Sequence, residues 1–174
     1  MWFSNNEQEK AKKIYFKKLS KNDFELLLKW LNTDFVKEWY YRYGDNKQDW
    51  THEEVQNKYL PRIRKKEPTD SFIILYDDTK IGYIQTYLLK DYPEYEKFIQ
   101  GGDNSAGMDL FIGEKEFIHK GLGAIIIKEF IRNYIFCNDY INKCIIGPEP
   151  KNLGAIKAYT KAGFKYVKTH CCPA

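Results

Sequence analysis

The 174-residue sequence has little of what builds metal centres or disulfide frameworks, with three histidines and four cysteines. Cys137, Cys144, Cys171 and Cys172 show no Cys-x-x-Cys spacing, and His52, His119 and His170 stand at no zinc-ligand interval from them. No metal is expected, and the cysteines read as free thiols of a reducing compartment. A covalent thiol mechanism is disfavoured too, since Cys137 and Cys144 lie in apolar segments without a nearby histidine. No apolar run approaches the roughly 20 residues that a membrane helix needs, so no membrane partner is expected. Residues Met1 to Glu7 carry neither a basic start nor an apolar stretch, which leaves a secretory leader unexpected and a cytoplasmic location the natural reading. Charge of one sign is also missing, because the net +4 is spread over interspersed basic and acidic residues. The dense basic cluster Arg62-Ile63-Arg64-Lys65-Lys66 reads as a solvated helix end, so no nucleic-acid partner is expected. Repeats, low-complexity tracts and linkers are absent, and 1–174 reads as one domain with one active site.

What the sequence does have is aromatic surface: 14 tyrosines among 17% aromatic residues, enough to thicken a core or line a ligand cleft. Alternation from Lys12 to Leu19 predicts a first strand. Ser20 then stands at an N-cap position with Asp23 three residues on, ahead of Phe24, Leu27, Leu28 and Leu31 at helical spacing. Asp34 to Trp50 has no clear period and reads as irregular structure around a short helical turn. Thr51 and Glu54 form a capping box that starts a helix to about Arg64, with Pro61 near its end. Ser71 to Tyr76 and Ile81 to Leu89 make a β-hairpin about Asp77-Asp78-Thr79-Lys80. Lys90 to Asn104 reads as an acidic loop. A strand at Ser105 to Ile112, an apolar helix at Gly121 to Phe136, a short strand at Lys143 to Ile146, a helix at Asn152 to Ala162 closed by Gly163, and a last strand at Phe164 to Thr169 complete the order. The class is α/β: a mixed, mostly antiparallel twisted sheet of about six strands with helices on both faces and some parallel pairing late in the chain.

Two constellations carry chemistry. In Lys120-Gly121-Leu122-Gly123-Ala124, between a strand and an apolar helix, glycines allow close backbone approach, and the helix start favours an anion such as a pyrophosphate. A helix entry that merely needs flexible backbone is an equal reading of those residues alone. Neither a Walker loop nor a dinucleotide fingerprint is present. The second is Asn152-Leu153-Gly154-Ala155-Ile156-Lys157-Ala158-Tyr159-Thr160-Lys161-Ala162-Gly163-Phe164, whose helical spacing puts Asn152, Ile156 and Tyr159 near one face.

Together these segments resemble the two core motifs of the GNAT acetyltransferases, a resemblance that spans roughly Lys12 to Thr169. It implies acetyl-CoA as the cofactor. The amides of Gly121, Leu122, Gly123 and Ala124 would cradle the pyrophosphate; where Ile118 replaces the family's usual Gln or Arg, either that position contributes backbone alone or His119 and Lys120 supply the polarity. Such folds usually close with another strand, which here would be missing or supplied by a partner. The strand Leu110, Phe111 and Ile112 would bind the pantetheine arm and polarise the thioester carbonyl through its backbone N–H groups. Asn152 and Ala155 would touch the cofactor, and Tyr159 would act as acid toward the departing thiolate. Ile81 to Tyr87, Gly107 to Glu114 and Leu28-Lys29-Trp30-Leu31 further resemble the aminoglycoside 6′-N-acetyltransferases. By that resemblance Asp109 holds the substrate amine and takes its proton, which suits a carboxylate that would be costly unpaired in an apolar strand. Tyr83, Gln85 and Tyr87 alternate onto one side, and Gln85 and Tyr87 are expected substrate contacts. Asp103 and its neighbours Asp91, Glu94 and Glu96 would attract a polycation. Gly147 stands where the family often has an aspartate, and Glu149 is the carboxylate expected to compensate. The expectation is direct acetyl transfer to a primary amine of a small polycation, an aminoglycoside 6′-amine, by a monomer or homodimer. The alternatives are a GNAT enzyme for another amine (a protein N-terminus, a ribosomal lysine or a siderophore precursor) and a non-catalytic acyl-CoA-binding module.

Overall fold

The computed structural model describes residues 4–40 and 48–169. His170, Cys171 and Cys172 therefore lie outside the described residues. Ser4 and Glu7 form a capping box that starts a helix absent from the sequence reading, α1 (Asn5–Ala11). Strand β1 (Ile14–Lys18) leads to α2 (Phe24–Leu31), the short α3 (Asp34–Lys37) and α4 (His52–Ile63), which runs through Pro61 in its last turn. The hairpin β2 (Thr69–Tyr76) and β3 (Thr79–Leu88) follows as expected. Then come α5 (Pro93–Ile99), β4 (Ser105–Ile112), α6 (Leu122–Phe130) with a π-helical continuation over Ile131–Ile135, β5 (Lys143–Ile145) and α7 (Leu153–Ala162).

The sheet has the order β1-β2-β3-β4-β5, antiparallel except for the parallel β4–β5 pair. Among the described residues five strands form where about six were expected. The segment Phe164 to Thr169 alternates like a strand but finds no neighbour among the described residues, and without a ladder its Tyr166 and Val167 stay 82% and 83% exposed. A second correction concerns the acidic loop. Pro93 at the first helical position and Glu94 and Glu96 in the first turn start α5, a pattern that favours a helix N-terminus. Glu94 pairs with Lys97 at 2.7 Å, and Glu96 accepts the Gly102 backbone N–H at 2.8 Å, so both carboxylates serve the helix locally.

Helices cover both faces of the sheet, because successive strand residues point to opposite sides. Phe72, Ile74, Ile84 and Met108 pack with Ile125, Ile126 and Phe130 of α6. On the other face Ile73, Tyr83 and Phe111 pack with Leu27, Trp30 and Leu31 of α2 and Val55 and Tyr59 of α4. No helix among the described residues is long and apolar enough to cross a membrane.

The entry to α2 depends on one buried carboxylate. Asp23, 1% exposed, accepts the Ser20 backbone N–H at 2.9 Å, the Ser20 hydroxyl at 2.6 Å and the Lys80 ammonium at 2.6 Å. Burial pushes its pKa up, but Lys80 and Ser20 outweigh that and hold it below the usual carboxylate value. Asp23→Asn is expected to cost about 1–3 kcal/mol at neutral pH. A depressed folded-state pKa stabilises above the ordinary value and ceases to as pH falls through the depressed one. The parent–variant difference in urea unfolding should therefore shrink in acid, and a pH-independent difference would contradict this account.

Candidate active site in the gap between β4 and β5

Strand β5 pairs with β4 over three positions only: Ser105 with Lys143, Ala106 with Cys144, and Gly107 with Ile145. Beyond Gly107, β4 continues to Ile112 while Gly147-Pro148-Glu149-Pro150 turns the chain away. The β4 edge from Met108 to Ile112 thus faces a gap, with no strand beside it among the described residues. Backbone polar groups on such an edge need partners, which suits an extended, amide-bearing ligand. Leu110 and Ile112 pack partly into the core beneath α6. Phe111 points the other way and stacks on Tyr83 at 5.6 Å, so its contribution to the gap is backbone.

At the far end of β4 the chain turns through His119, with φ of 61°, and Gly121, with φ of 73°, into the N-terminus of α6. Gly121 meets the left-handed requirement without strain. The first turn of α6 holds no acidic residue, which leaves the helix start electropositive. Leu122 and Ala124 are buried and present backbone alone, while His119 and Lys120 are exposed. A Cβ at Gly123 would stand 3.3 Å from that of Ala158, so this glycine sets the close approach of α6 and α7. Asn152 caps α7, its side-chain oxygen accepting the Ala155 N–H at 2.9 Å. The residues present fit a pyrophosphate at this turn and a pantetheine arm along β4.

Asp109 lies half-buried at the head of the gap, cross-strand from Gln85. The Gln85 amide nitrogen donates to the Asp109 carboxylate at 2.8 Å. Burial raises the Asp109 pKa, opposed by the Gln85 hydrogen bond and by the Lys58 and Arg62 charges of α4. Tyr159 of α7 packs its ring on Phe164 at 5.7 Å, and burial, then the Asp109 charge and the Cys144 thiol, push its phenol pKa up. Burial and Asp109 likewise push the Cys144 thiol to about 12, which keeps it protonated and unreactive. Tyr87 lies over Gly107, where a Cβ would come within 2.4 Å of its ring, and Tyr92 and Tyr95 wall it at 5.1 and 6.3 Å. Burial and Asp109 also raise the Tyr87 pKa.

The sequence-predicted residues Asp109, Gln85, Tyr87 and Tyr159 are thus brought around one point, with the β4 edge beside them. Asp103 is not among them, since it is exposed in the turn at the paired end, where Asn142 bonds to Asn104 at 3.1 Å. Glu149 is exposed on the loop after β5. Sequence reasoning missed Arg62, Glu67, Tyr40 and Tyr59. The Arg62 side chain, read as part of a solvated helix end, is 10% exposed. Its helical spacing from Val55 and Tyr59, both buried, is the signal that would have placed it on the inner face of α4. The Tyr59 hydroxyl is buried beside that of Tyr40 and makes no well-formed hydrogen bond among the described residues.

Known proteins share this fold. Residues 20–171 match the acetyltransferase (GNAT) domain family. The chain is 27% identical over 155 residues to aminoglycoside N(6′)-acetyltransferase type 1 of Klebsiella pneumoniae, covering 89% of this chain and 75% of that one. The same figures hold for the Serratia marcescens protein of that name. Among solved structures, aminoglycoside acetyltransferase AAC(6′)-Ib with coenzyme A and kanamycin superposes with a TM-score of 0.71 at 25% identity, over 87% of this chain and 84% of that one. An uncharacterised Bacillus halodurans protein at 18% identity has the same fold, with a TM-score of 0.80 over 92% of this chain and 78% of its own. A glycine turn before α6, a β4 edge left open by β5, and a match spanning residues 20–171 lead to one conclusion: the chain belongs to the GNAT family of acetyltransferases.

Proposed function

We propose that this enzyme transfers the acetyl group of acetyl-CoA directly to a primary amine of an aminoglycoside or similar small polycation, with Asp109 receiving the amine and Tyr159 serving the leaving thiolate. The observation that carries the reading is the half-buried Asp109 carboxylate, held by Gln85 beside the open β4 edge. Relatives named as aminoglycoside N(6′)-acetyltransferases support the substrate class.

When bound, acetyl-CoA supplies an activated thioester. The backbone of Gly121 to Ala124 would hold its pyrophosphate, and the Met108 to Ile112 edge its amide arm. Backbone N–H groups of that edge favour negative charge developing on the carbonyl oxygen. The Asp109 carboxylate attracts the substrate ammonium and accepts its proton. Its raised pKa makes it a stronger base than an ordinary aspartate. Tyr159, whose raised pKa keeps the phenol protonated at neutral pH, donates to the sulfur that departs.

A second reading, another amine within the same chemistry, rests on the cations. Lys58 and Arg62 both bear on Asp109, and Gly147 stands where related enzymes often have an aspartate. This arrangement favours an acceptor with fewer positive charges than kanamycin. Thiol release with kanamycin against an acceptor that carries a single amine, such as a peptide N-terminus, separates the two readings, and no turnover of any amine by a protein that binds acetyl-CoA would overturn both.

Asp109→Asn should lower kcat/KM by roughly 100- to 10,000-fold, the range for a general base. The same substitution should raise Tm at neutral pH. A carboxyl whose pKa is raised on folding costs stability above its ordinary value, and the cost vanishes in acid, so the gain should disappear there. Gly121→Val puts a β-branched residue at φ of 73° and should weaken coenzyme A binding, measured by calorimetry. The expected loss is about ten- to a hundredfold, from backbone strain of about 1–3 kcal/mol. Tyr159→Phe should lower kcat with KM little changed.

A further inference from the structure

Behind Asp109 a polar chain runs into the protein. Glu67 accepts from the Arg62 guanidinium at 3.0 and 2.9 Å. One guanidinium nitrogen of Arg62 donates to the Gln85 side-chain oxygen and, at 3.3 Å, to the Tyr83 hydroxyl. The Tyr83 hydroxyl also donates to that Gln85 oxygen at 2.8 Å, which leaves Ser71, 2.8 Å away, to donate to Tyr83. The participants come from α4, the segment after it, β2, β3 and β4, so no local turn explains their meeting.

A carboxamide has a donor end and an acceptor end of nearly equal shape, and its neighbours decide which way it points. At Gln85 both inner neighbours are donors, and a guanidinium has no acceptor to offer. The oxygen must therefore face inward and the amide nitrogen outward, toward Asp109. We infer that Arg62 is a positioning residue for the acetyl transfer, which orients the Gln85 amide so that it holds Asp109 as an ionised, amine-ready carboxylate. This rests on the reading of Asp109 given above and adds to it a residue that touches neither substrate nor cofactor. Tyr83 alone does not enforce the orientation, because its hydroxyl rotates and, with Ser71 as partner, can accept as readily as donate. Without Arg62 the amide is free to reverse, which would put an oxygen against the carboxylate.

Asp109 has other neighbours with charge or protons to exchange: Lys58, Tyr40 and Tyr59 from the α3–α4 side, Tyr83 and Tyr87 of β3, Cys144 of β5 and Tyr159 of α7. The phenols and the thiol have raised pKa values and stay neutral as Asp109 titrates. The ionisation of Asp109 is therefore the one that Arg62 and Gln85 govern.

The test reads Asp109 directly. In protein labelled with carbon-13 at aspartate side-chain carboxyls, Asp109→Asn assigns the Asp109 resonance and a pH titration gives its pKa. Arg62→Met should move that pKa up by about one unit, the scale of losing one charge-assisted hydrogen bond. In a Gln85→Met background, Arg62→Met should move it little further, since the effect passes through Gln85. The acid limb of kcat/KM with kanamycin and acetyl-CoA should shift in step. If Arg62→Met does not fold because Glu67 is orphaned, Arg62→Met with Glu67→Gln takes its place. An unmoved Asp109 pKa in a folded Arg62 variant overturns the inference. So do equal shifts with and without Gln85, which would mean that Arg62 acts by charge alone. Full turnover in Asp109→Asn would instead remove the catalytic reading of Asp109 while leaving the NMR result to stand.

Discussion

Everything at this site depends on two strands parting company. A β-strand carries hydrogen-bonding groups along both edges, and each needs a partner. Strand β4 meets that need on one side from Ala106 to Ile112, through β3, but on the other side β5 leaves it after Gly107. The remaining edge is rigid because β3 holds it, and open because β5 does not. A flexible loop offering the same amides would lose entropy on binding, whereas this edge is ordered beforehand. The fold therefore leaves this stretch of a strand without a neighbour on one side among the described residues.

The electrostatics follow the same division. On the α6 side the field is that of a helix start without acidic residues, suited to an anion. On the α2 and α4 side the sheet presents Asp109, whose burial disfavours charge and whose hydrogen-bond partner restores it. These opposed fields sit on opposite faces of one sheet and meet only at the gap, where β4 alone separates them. An anion and a cation could thus approach from different sides without competing for the same groups.

Much of this was legible in the sequence, for physical reasons that differ residue by residue. The glycine turn and the Asn152 cap are local features, fixed by backbone conformation and by the first turn of a helix, and both stand where the motifs predicted. Asp109 was legible because a carboxylate in an apolar strand calls for a partner, and Gln85 is that partner. The Ser20 and Asp23 cap was read correctly as a helix start, but that Lys80 joins it from β3 lay beyond the reach of spacing. Arg62 was misread for a different reason: a mostly basic stretch looks like solvent-facing charge, although helical spacing from Val55 and Tyr59 puts Arg62 on the inner face of α4, where it meets Glu67, Tyr83 and Gln85. Helix α5 was hidden by composition, since its acidic residues suit a loop as well as a first turn, and Pro93 decided between them. The final strand was overcalled because alternation gives a segment the chemistry of a strand without a place in a sheet.

Helix α1 ends in a contact of some practical weight. The Lys10 ammonium donates to the Lys120 carbonyl at 3.0 Å, which ties the first described helix to the turn that precedes α6. Were a pyrophosphate to displace that turn on entering or leaving, this contact would carry the movement to a short, solvent-exposed element. A spectroscopic probe attached near Asn5 would stand outside both the cofactor and the acceptor sites and yet be mechanically connected to one of them. It would make the first helix a handle by which the filling of the cofactor site can be followed from outside.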